Sequence, residues 1–88
     1  MRRQLGDVQK VKNRFQSEVL FMPQFFGYLA GCGISRVGLW DPEVRGDAAA
    51  EYCITVKLLK RLPEDLTIPD EFDGVRVFKT YTGELYAL

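Results

Sequence analysis

The sequence contains no histidine. This absence removes the commonest general base and a leading transition-metal ligand, and it excludes a serine–histidine triad and a cysteine–histidine dyad. The chain has two serines, Ser17 and Ser35, and neither lies in the pattern of a nucleophile elbow. We therefore expect a protein that is not an enzyme, with no catalytic residue, cofactor or metal.

The chain also lacks net charge, because 12 basic residues balance 12 acidic ones. No overall field would concentrate nucleic acid or a membrane surface, and zero net charge leaves self-association unopposed. The N-terminal basic residues are diluted by Asp7 and Glu18 and lack a nucleic-acid motif, so nucleic-acid binding is not expected. They are Arg2, Arg3, Lys10, Lys12 and Arg14. We expect them instead to complement an acidic loop of the same chain or of a second copy.

That acidic loop holds five carboxylates, but their spacing does not match a calcium-binding loop. They are Glu64, Asp65, Asp70, Glu71 and Asp73. The pattern favours a solvated loop.

Cysteine and long apolar runs are also scarce. Cys32 and Cys53 are too few for a disulfide framework, and we expect both to be free thiols in a reducing compartment.

No apolar segment follows Arg2 and Arg3, so no signal peptide is predicted. The longest apolar stretch, residues 19–34, is interrupted by a proline and glycines and is too short to span a bilayer. The expectation is a soluble, cytoplasmic protein.

The length of 88 residues predicts a single domain spanning residues 1–88. Within it, the clearest secondary-structure signal is a strand over residues 51–60. Side chains alternate between the two faces of a strand. One face here is apolar, which is typical of a half-buried strand; it carries Tyr52, Ile54, Val56 and Leu58. The opposite face of the sheet is expected to carry Thr55, Lys57 and Arg76, and to be solvated or covered by another subunit.

An amphipathic helix is predicted at the N-terminus, because apolar residues recur there at helical spacing. The stripe consists of Leu5, Val8, Val11, Phe15, Val19 and Met22. Asp7 is the expected N-cap, with Gly6 outside the helix. Pro23 should kink the helix or begin a second short one over residues 23–30, which Gly31 and Gly33 would end.

Three further strands are predicted, over residues 34–40, 75–81 and 84–88. The first should form an antiparallel pair with residues 51–60, and the last should pair back on the third strand. Residues 62–73 are expected to be a loop with one helical turn. The fold class is α+β, with the N-terminal helix kinked or broken at Pro23 and packed on one face of a mostly antiparallel four-stranded sheet.

Several short motifs lie between residues 29 and 88. They are Gly33-Ile34-x-x-Val37-Gly38-Leu39, Ile54-x-Val56, Ile68-Pro69-x-x-x-Asp73-Gly74-Val75-x-Val77 and Gly83-x-Leu85-x-Ala87-Leu88. Together they resemble a small α+β module of uncharacterised bacterial proteins, which also occurs ahead of trypsin-like peptidase domains. Arg76 replaces the usual proline of that module. The resemblance implies the same α+β fold and no catalytic residue, since the peptidase chemistry belongs to a following domain.

Four aromatic residues surround Pro23, and they occupy more of a helix than one buried stripe can hold. They are Phe21, Phe25, Phe26 and Tyr28. Two interpretations stay open, a partner surface or an internal aromatic core. On helical geometry, Phe21 and Phe25 should share a face with Leu29, whereas Phe26 should point toward an edge that a partner could cover.

Two functional hypotheses follow. The first is an interaction module, most simply a homodimer or the binding partner of another protein. The second is a small-molecule-binding protein or minimal enzyme with a pocket between helix and sheet, using Cys32, Tyr28 or Asp41. Because Cys32 would lie near a helix C-terminus, whose negative end raises a thiol pKa, we expect it to be a small buried residue rather than a nucleophile.

Overall fold

A computed structural model describes residues 4–81 of the chain. It comprises one helical layer and one four-stranded sheet. The helical layer runs from α1 (Leu5–Phe15) through a π-helical turn (Gln16–Leu20) to a 3₁₀ turn (Pro23–Phe25). The strands are β1 (Leu29–Arg36), β2 (Tyr52–Leu58), β3 (Glu71–Phe72) and β4 (Val75–Tyr81). Between β1 and β2 lie the short helix α2 (Val37–Trp40) and a 3₁₀ turn (Gly46–Ala50). The predicted strand at residues 84–88 lies outside the described residues.

The apolar stripe of α1 is confirmed for Val8, Val11 and Phe15, which are buried. Leu5 and Met22, at the two ends of the predicted stripe, are exposed. The predicted cap is wrong: Gln4 precedes the helix, and Gly6 and Asp7 lie inside its first turn. Asp7 there, together with Lys12 and Arg14 in the last turn, complements the helix dipole.

The π-helical turn changes which side chain faces the sheet. The amide of Phe21 donates to the carbonyl of Gln16, 2.9 Å away, a bond that spans five residues instead of four. The extra residue brings Leu20 into the core and leaves Val19 only half-buried. Regular helical spacing would have placed Val19 inward instead.

The helix is broken before Pro23 rather than kinked there, which was one of the two predicted alternatives. The prediction of a second helix over residues 23–30 is wrong. Only a three-residue 3₁₀ turn forms. Gly27 adopts a positive φ of 88°, a conformation that interrupts a right-handed helix, and β1 begins two residues later. The predicted strand over residues 34–40 is therefore misplaced, because Gly31 and Gly33 lie inside β1 rather than at a helix end.

The sheet order is β1-β2-β4-β3, and the sheet is mixed rather than mostly antiparallel. β1 and β2 pair antiparallel, as predicted, with Ile34 opposite Ile54. β2 and β4 run parallel, with Ile54 opposite Val77. Parallel neighbours need a crossover connection, and residues 59–74 supply it. A tight turn then joins β3 and β4 into an antiparallel hairpin.

One hydrophobic core lies between the helical layer and the sheet. β2 is its centre, as the alternation of its side chains predicted. The buried members are Val8, Val11, Phe15, Leu20, Phe25, Ile54, Val56, Leu58, Ile68, Val75 and Val77.

The second sheet face is partly covered by the chain itself. Trp40 stacks on Phe78 with ring centroids 6.1 Å apart. The Arg76 guanidinium lies 4.7 Å from the Phe78 ring centre and 3.4 Å from the Asp41 carboxylate. This face was predicted to be solvated. Lys57 is exposed, as predicted, but Thr55 is only 5% exposed and is therefore buried.

Candidate interaction edge

β1 is the terminal strand of the sheet, and its outer side pairs with no strand within residues 4–81. The Val37 amide donates to the Glu51 carbonyl at 2.9 Å, and this pair continues the β1–β2 register. Hydrogen-bonded pairs alternate along antiparallel strands. Gly33 and Ser35 therefore bond toward β2, whereas the backbone groups of Cys32 and Ile34 point outward.

An apolar groove of about 180 Å³ runs beside the first half of β1. The π-helical turn forms one wall and the strand forms the other. The lining residues are Gln16, Leu20, Phe21, Leu29, Ala30, Gly31 and Cys32. Phe21 stands at its rim with 69% of its surface exposed. The groove and the open backbone edge form one continuous surface, which we call the β1 edge.

The aromatic residues around Pro23 separate into different environments. Phe25 is 2% exposed and belongs to the core, while Phe21 and Phe26 are 69% and 64% exposed. The predicted shared face of Phe21 and Phe25 is therefore wrong, because the helix ends between them. Phe26 points outward, as expected. Tyr28 is half-buried, with the Lys60 ammonium 4.9 Å from its ring centre.

Both cysteines are free thiols. Burial raises the pKa of the Cys32 thiol, and nearby Lys12 opposes that shift only in part. Burial also raises the pKa of the Cys53 thiol, against the opposing effects of the Ser35 backbone and Arg76. The cause expected for Cys32 was wrong, because it lies in a strand and not at a helix end. Since a thiolate is the reactive form, neither thiol is activated as a nucleophile.

The three residues proposed for a small-molecule site lie apart. Cys32 lines the groove at β1. Tyr28 lines a separate depression with Gln24, Pro63, Asp65 and Leu66. Asp41 pairs with Arg76 on the second sheet face. A pocket between helix and sheet exists, but it contains only Cys32 of the three.

The charged residues form local pairs. Arg14 forms an ion pair with Asp73. The predicted electrostatic complementarity between the basic helix and the acidic loop is therefore confirmed for this one pair. Lys79 lies 3.5 Å from Asp70. Within the described residues, no cluster of three or more Cys, Asp or Glu side chains could hold a metal ion.

The β1 edge was missed by sequence reasoning, because Gly31 and Gly33 were interpreted as a helix terminus. Glycine inside a strand can equally mark a close approach of another backbone, so the two glycines could have indicated this edge.

None of the helices within residues 4–81 is long and apolar enough to cross a membrane.

No family model matches the chain, and no curated protein or solved structure is similar to it. The resemblance to the bacterial α+β module therefore stays a prediction.

Proposed function

We propose that the protein is a non-catalytic interaction module that forms a homodimer through the β1 edge. The observation that carries this proposal is Phe21, a large apolar side chain left 69% exposed beside an apolar groove and beside a strand whose outer edge has no partner strand within residues 4–81.

The geometry supports association in two ways. An open strand edge presents unpaired N–H and C=O groups that template pairing with another chain. Exposed apolar surface next to a groove marks interaction sites. Both features occur together at β1, and the zero net charge of the chain does not oppose contact between copies.

A non-catalytic role is supported by the chemistry available. The sequence has no histidine, and burial raises the pKa of both thiols away from the reactive range. The cytoplasmic location expected from the sequence stays a prediction.

The proposal is tested by measuring mass in solution as a function of protein concentration, for the natural chain and for Phe21→Asp. We expect a concentration-dependent dimer. Truncation of a buried aromatic anchor commonly costs 2 kcal/mol or more, so Phe21→Asp should raise the dissociation constant about 30-fold or more. Its circular dichroism spectrum should be unchanged, because the side chain is outside the core.

Phe26→Asp is the matched control, since Phe26 is almost as exposed as Phe21 but does not line the groove. It should leave the dissociation constant within a few-fold of the natural value. If Phe26→Asp weakens the dimer as strongly as Phe21→Asp does, the interface lies on the segment around Pro23 and not at β1. A chain that is monomeric at millimolar concentration would contradict the proposal.

A second candidate function is binding of a small apolar molecule in the groove, which the presence of Cys32 in its wall favours. Small-molecule sites are commonly about 300–1,000 Å³ in volume, larger than this groove. A thermal-shift screen with metabolites, run on a chain that stays monomeric, would support this candidate if it produced a saturable increase in melting temperature.

A further inference from the structure

We infer that residues 37–51 form a strap that is latched to the second face of the sheet and opens separately from the main hydrophobic core. The strap comprises α2, the 3₁₀ turn Gly46–Ala50 and the residues between and after them. It lies on the side of the sheet away from the helical layer, and the inference does not depend on the proposed homodimer.

The two ends of the strap meet at its base. The Val37 amide donates to the Glu51 carbonyl at 2.9 Å, and the Arg36 guanidinium donates to the Ala50 carbonyl at 2.8 Å. A compact surface loop of up to about 16 residues whose ends lie close together is an Ω-loop. Backbone rotation at two neighbouring points, before Val37 and after Glu51, is therefore enough to move the whole segment relative to the sheet.

The strap is also packed within itself. A side chain at Gly38 would place its Cβ 2.7 Å from the Cβ of Ala49, closer than carbon atoms approach without a clash, so α2 and the 3₁₀ turn are in direct contact. The Asp41 amide donates to the Val37 carbonyl at 2.9 Å, and the Val44 amide donates to the Asp41 carbonyl at 3.1 Å. All of these contacts lie inside the strap and remain intact when it moves as a unit.

Two side-chain contacts hold the strap on β4. The Trp40 ring stacks on the Phe78 ring, with centroids 6.1 Å apart and planes at 25°. The Asp41 carboxylate lies 3.4 Å from the Arg76 guanidinium, and both side chains are partly exposed. Exposed ion pairs contribute little, whereas a stacked aromatic pair adds to the area that it buries. The Trp40–Phe78 stack is therefore the main latch.

A second, smaller core lies under the strap. Val37 and Cys53 are 2% and 0% exposed, yet neither belongs to the main core cluster. Cys53 and Thr55 project from the second face of β2, because Ile54 between them projects into the main core. Opening of the strap would expose Cys53 and Thr55 and leave the main core packed.

The strap has few buried contacts to lose. Val37 is the one buried residue among residues 37–51, whereas the main core contains eleven buried side chains of the described part of the chain. Segments with few buried apolar contacts open at a lower free energy than the core does. Opening of the strap is therefore expected to be more frequent than global unfolding.

The Cys53 thiol reports opening, because it is fully buried while the strap is closed. Cys32→Ala leaves it as the single thiol, and the reagent is the aromatic disulfide dithiobis-nitrobenzoate. The thiol proton passes to water, the Cys53 sulfur bonds to one sulfur of the reagent, and the reagent's S–S bond breaks to release coloured thionitrobenzoate. At low protein concentration, we expect labelling about ten-fold or more faster than global unfolding allows. Its rate should depend on urea less steeply than global unfolding does, because opening exposes less surface.

Three substitutions, each combined with Cys32→Ala, identify the latch. Trp40→Ala should raise the labelling rate about ten-fold, because the stack and its buried area are lost. Leu39→Ala is the matched control, since Leu39 adjoins Trp40 in α2 but is 78% exposed, and it should change the rate less than about two-fold. Val8→Ala weakens the main core. It should raise the global unfolding constant about ten-fold or more and leave the labelling rate within about two-fold.

The outcomes decide the inference. Labelling that follows the global urea dependence, or that rises with Val8→Ala as much as the unfolding constant does, means that Cys53 is reached only by unfolding and overturns the inference. An unchanged rate in Trp40→Ala, or equal increases for Trp40→Ala and Leu39→Ala, also overturns it. If Trp40→Ala does not fold, the urea dependence and Val8→Ala still decide the matter.

Discussion

Ile54 and Lys57 lie three residues apart in β2 but on opposite faces of the sheet. Ile54 is fully buried against the helical layer, whereas Lys57 is exposed. Removing buried methyl and methylene groups loses their transfer free energy and leaves a cavity. The two positions therefore distinguish the core from the second face at the level of single side chains.

We expect Ile54→Ala to lower the free energy of unfolding by about 2–4 kcal/mol, and Val56→Ala to act in the same direction. Lys57→Ala should change it by about 0.5 kcal/mol or less. Urea denaturation monitored by circular dichroism measures both values. Equal losses for Ile54→Ala and Lys57→Ala would mean that the faces of β2 are assigned the wrong way round.

The two cysteines predict a specific dependence of stability on pH. Burial raises the pKa of Cys32 and Cys53 above the ordinary value of 9.0. The folded state thus favours the neutral thiols, and this contribution is fully present below about pH 9 and lost as the pH rises through the folded-state pKa values.

We therefore expect the free energy of unfolding to fall above about pH 9 more steeply in the natural chain than in a Cys32→Ala/Cys53→Ala variant. Every other ionisable group is common to the two proteins, so the difference between the two curves isolates the thiols. Parallel curves would show that the thiols have the same pKa folded and unfolded.

At the scale of elements, the β3–β4 hairpin depends on two residues with positive φ. Asp73 has a φ of 51° and Gly74 a φ of 79°. Two-residue hairpin turns of type I′ need positive φ at both central positions, and Asp-Gly is a preferred sequence for them. Arg14 binds Asp73 and so joins the end of α1 to this turn.

Gly74→Ala should lower the free energy of unfolding by about 1–2 kcal/mol, because an L-residue is strained at positive φ. Gly6→Ala is the matched control. Gly6 lies in α1 with open space around it, so alanine there should raise the free energy of unfolding by about 0.5–1 kcal/mol. Denaturation curves that gave the same sign for both substitutions would contradict this account of the turn.

At the scale of the whole molecule, dimerisation should couple to stability. Anything that binds the folded state and not the unfolded chain raises the apparent stability by mass action. A small domain with a stability margin of about 5–8 kcal/mol would register such a contribution clearly.

We expect the melting temperature of the natural chain to rise with protein concentration, and that of Phe21→Asp to be independent of it. Differential scanning calorimetry from about ten-fold below to ten-fold above the dissociation constant would measure both. A concentration-independent melting temperature for the natural chain would contradict the proposed homodimer.

Much of the architecture followed from local patterns. The alternation in β2, the strand β4 and the stripe of Val8, Val11 and Phe15 could be predicted because side-chain periodicity reflects which face is buried. The α+β class and the break at Pro23 followed in the same way. The hairpin turn at Asp73 and Gly74 could also have been predicted, since the Asp-Gly pair was present but lay at the end of a segment interpreted as a loop.

The tertiary structure alone decided the π-helical turn, the start of β1 at Leu29 and the parallel pairing of β2 with β4. In each case tertiary packing overrode the conformation that the local sequence pattern predicted. Leu20 faces the core because one extra residue is accommodated in a turn. Gly31 and Gly33 are extended because β2 supplies hydrogen-bond partners across from them, whatever their own propensity. Strand order depends on contacts between residues that are distant in the sequence. Local sequence patterns do not reveal these contacts. The sequence by itself therefore determined which side chains are apolar at which spacing, while the packing of distant segments decided that β1 lies at the edge with Phe21 exposed beside it.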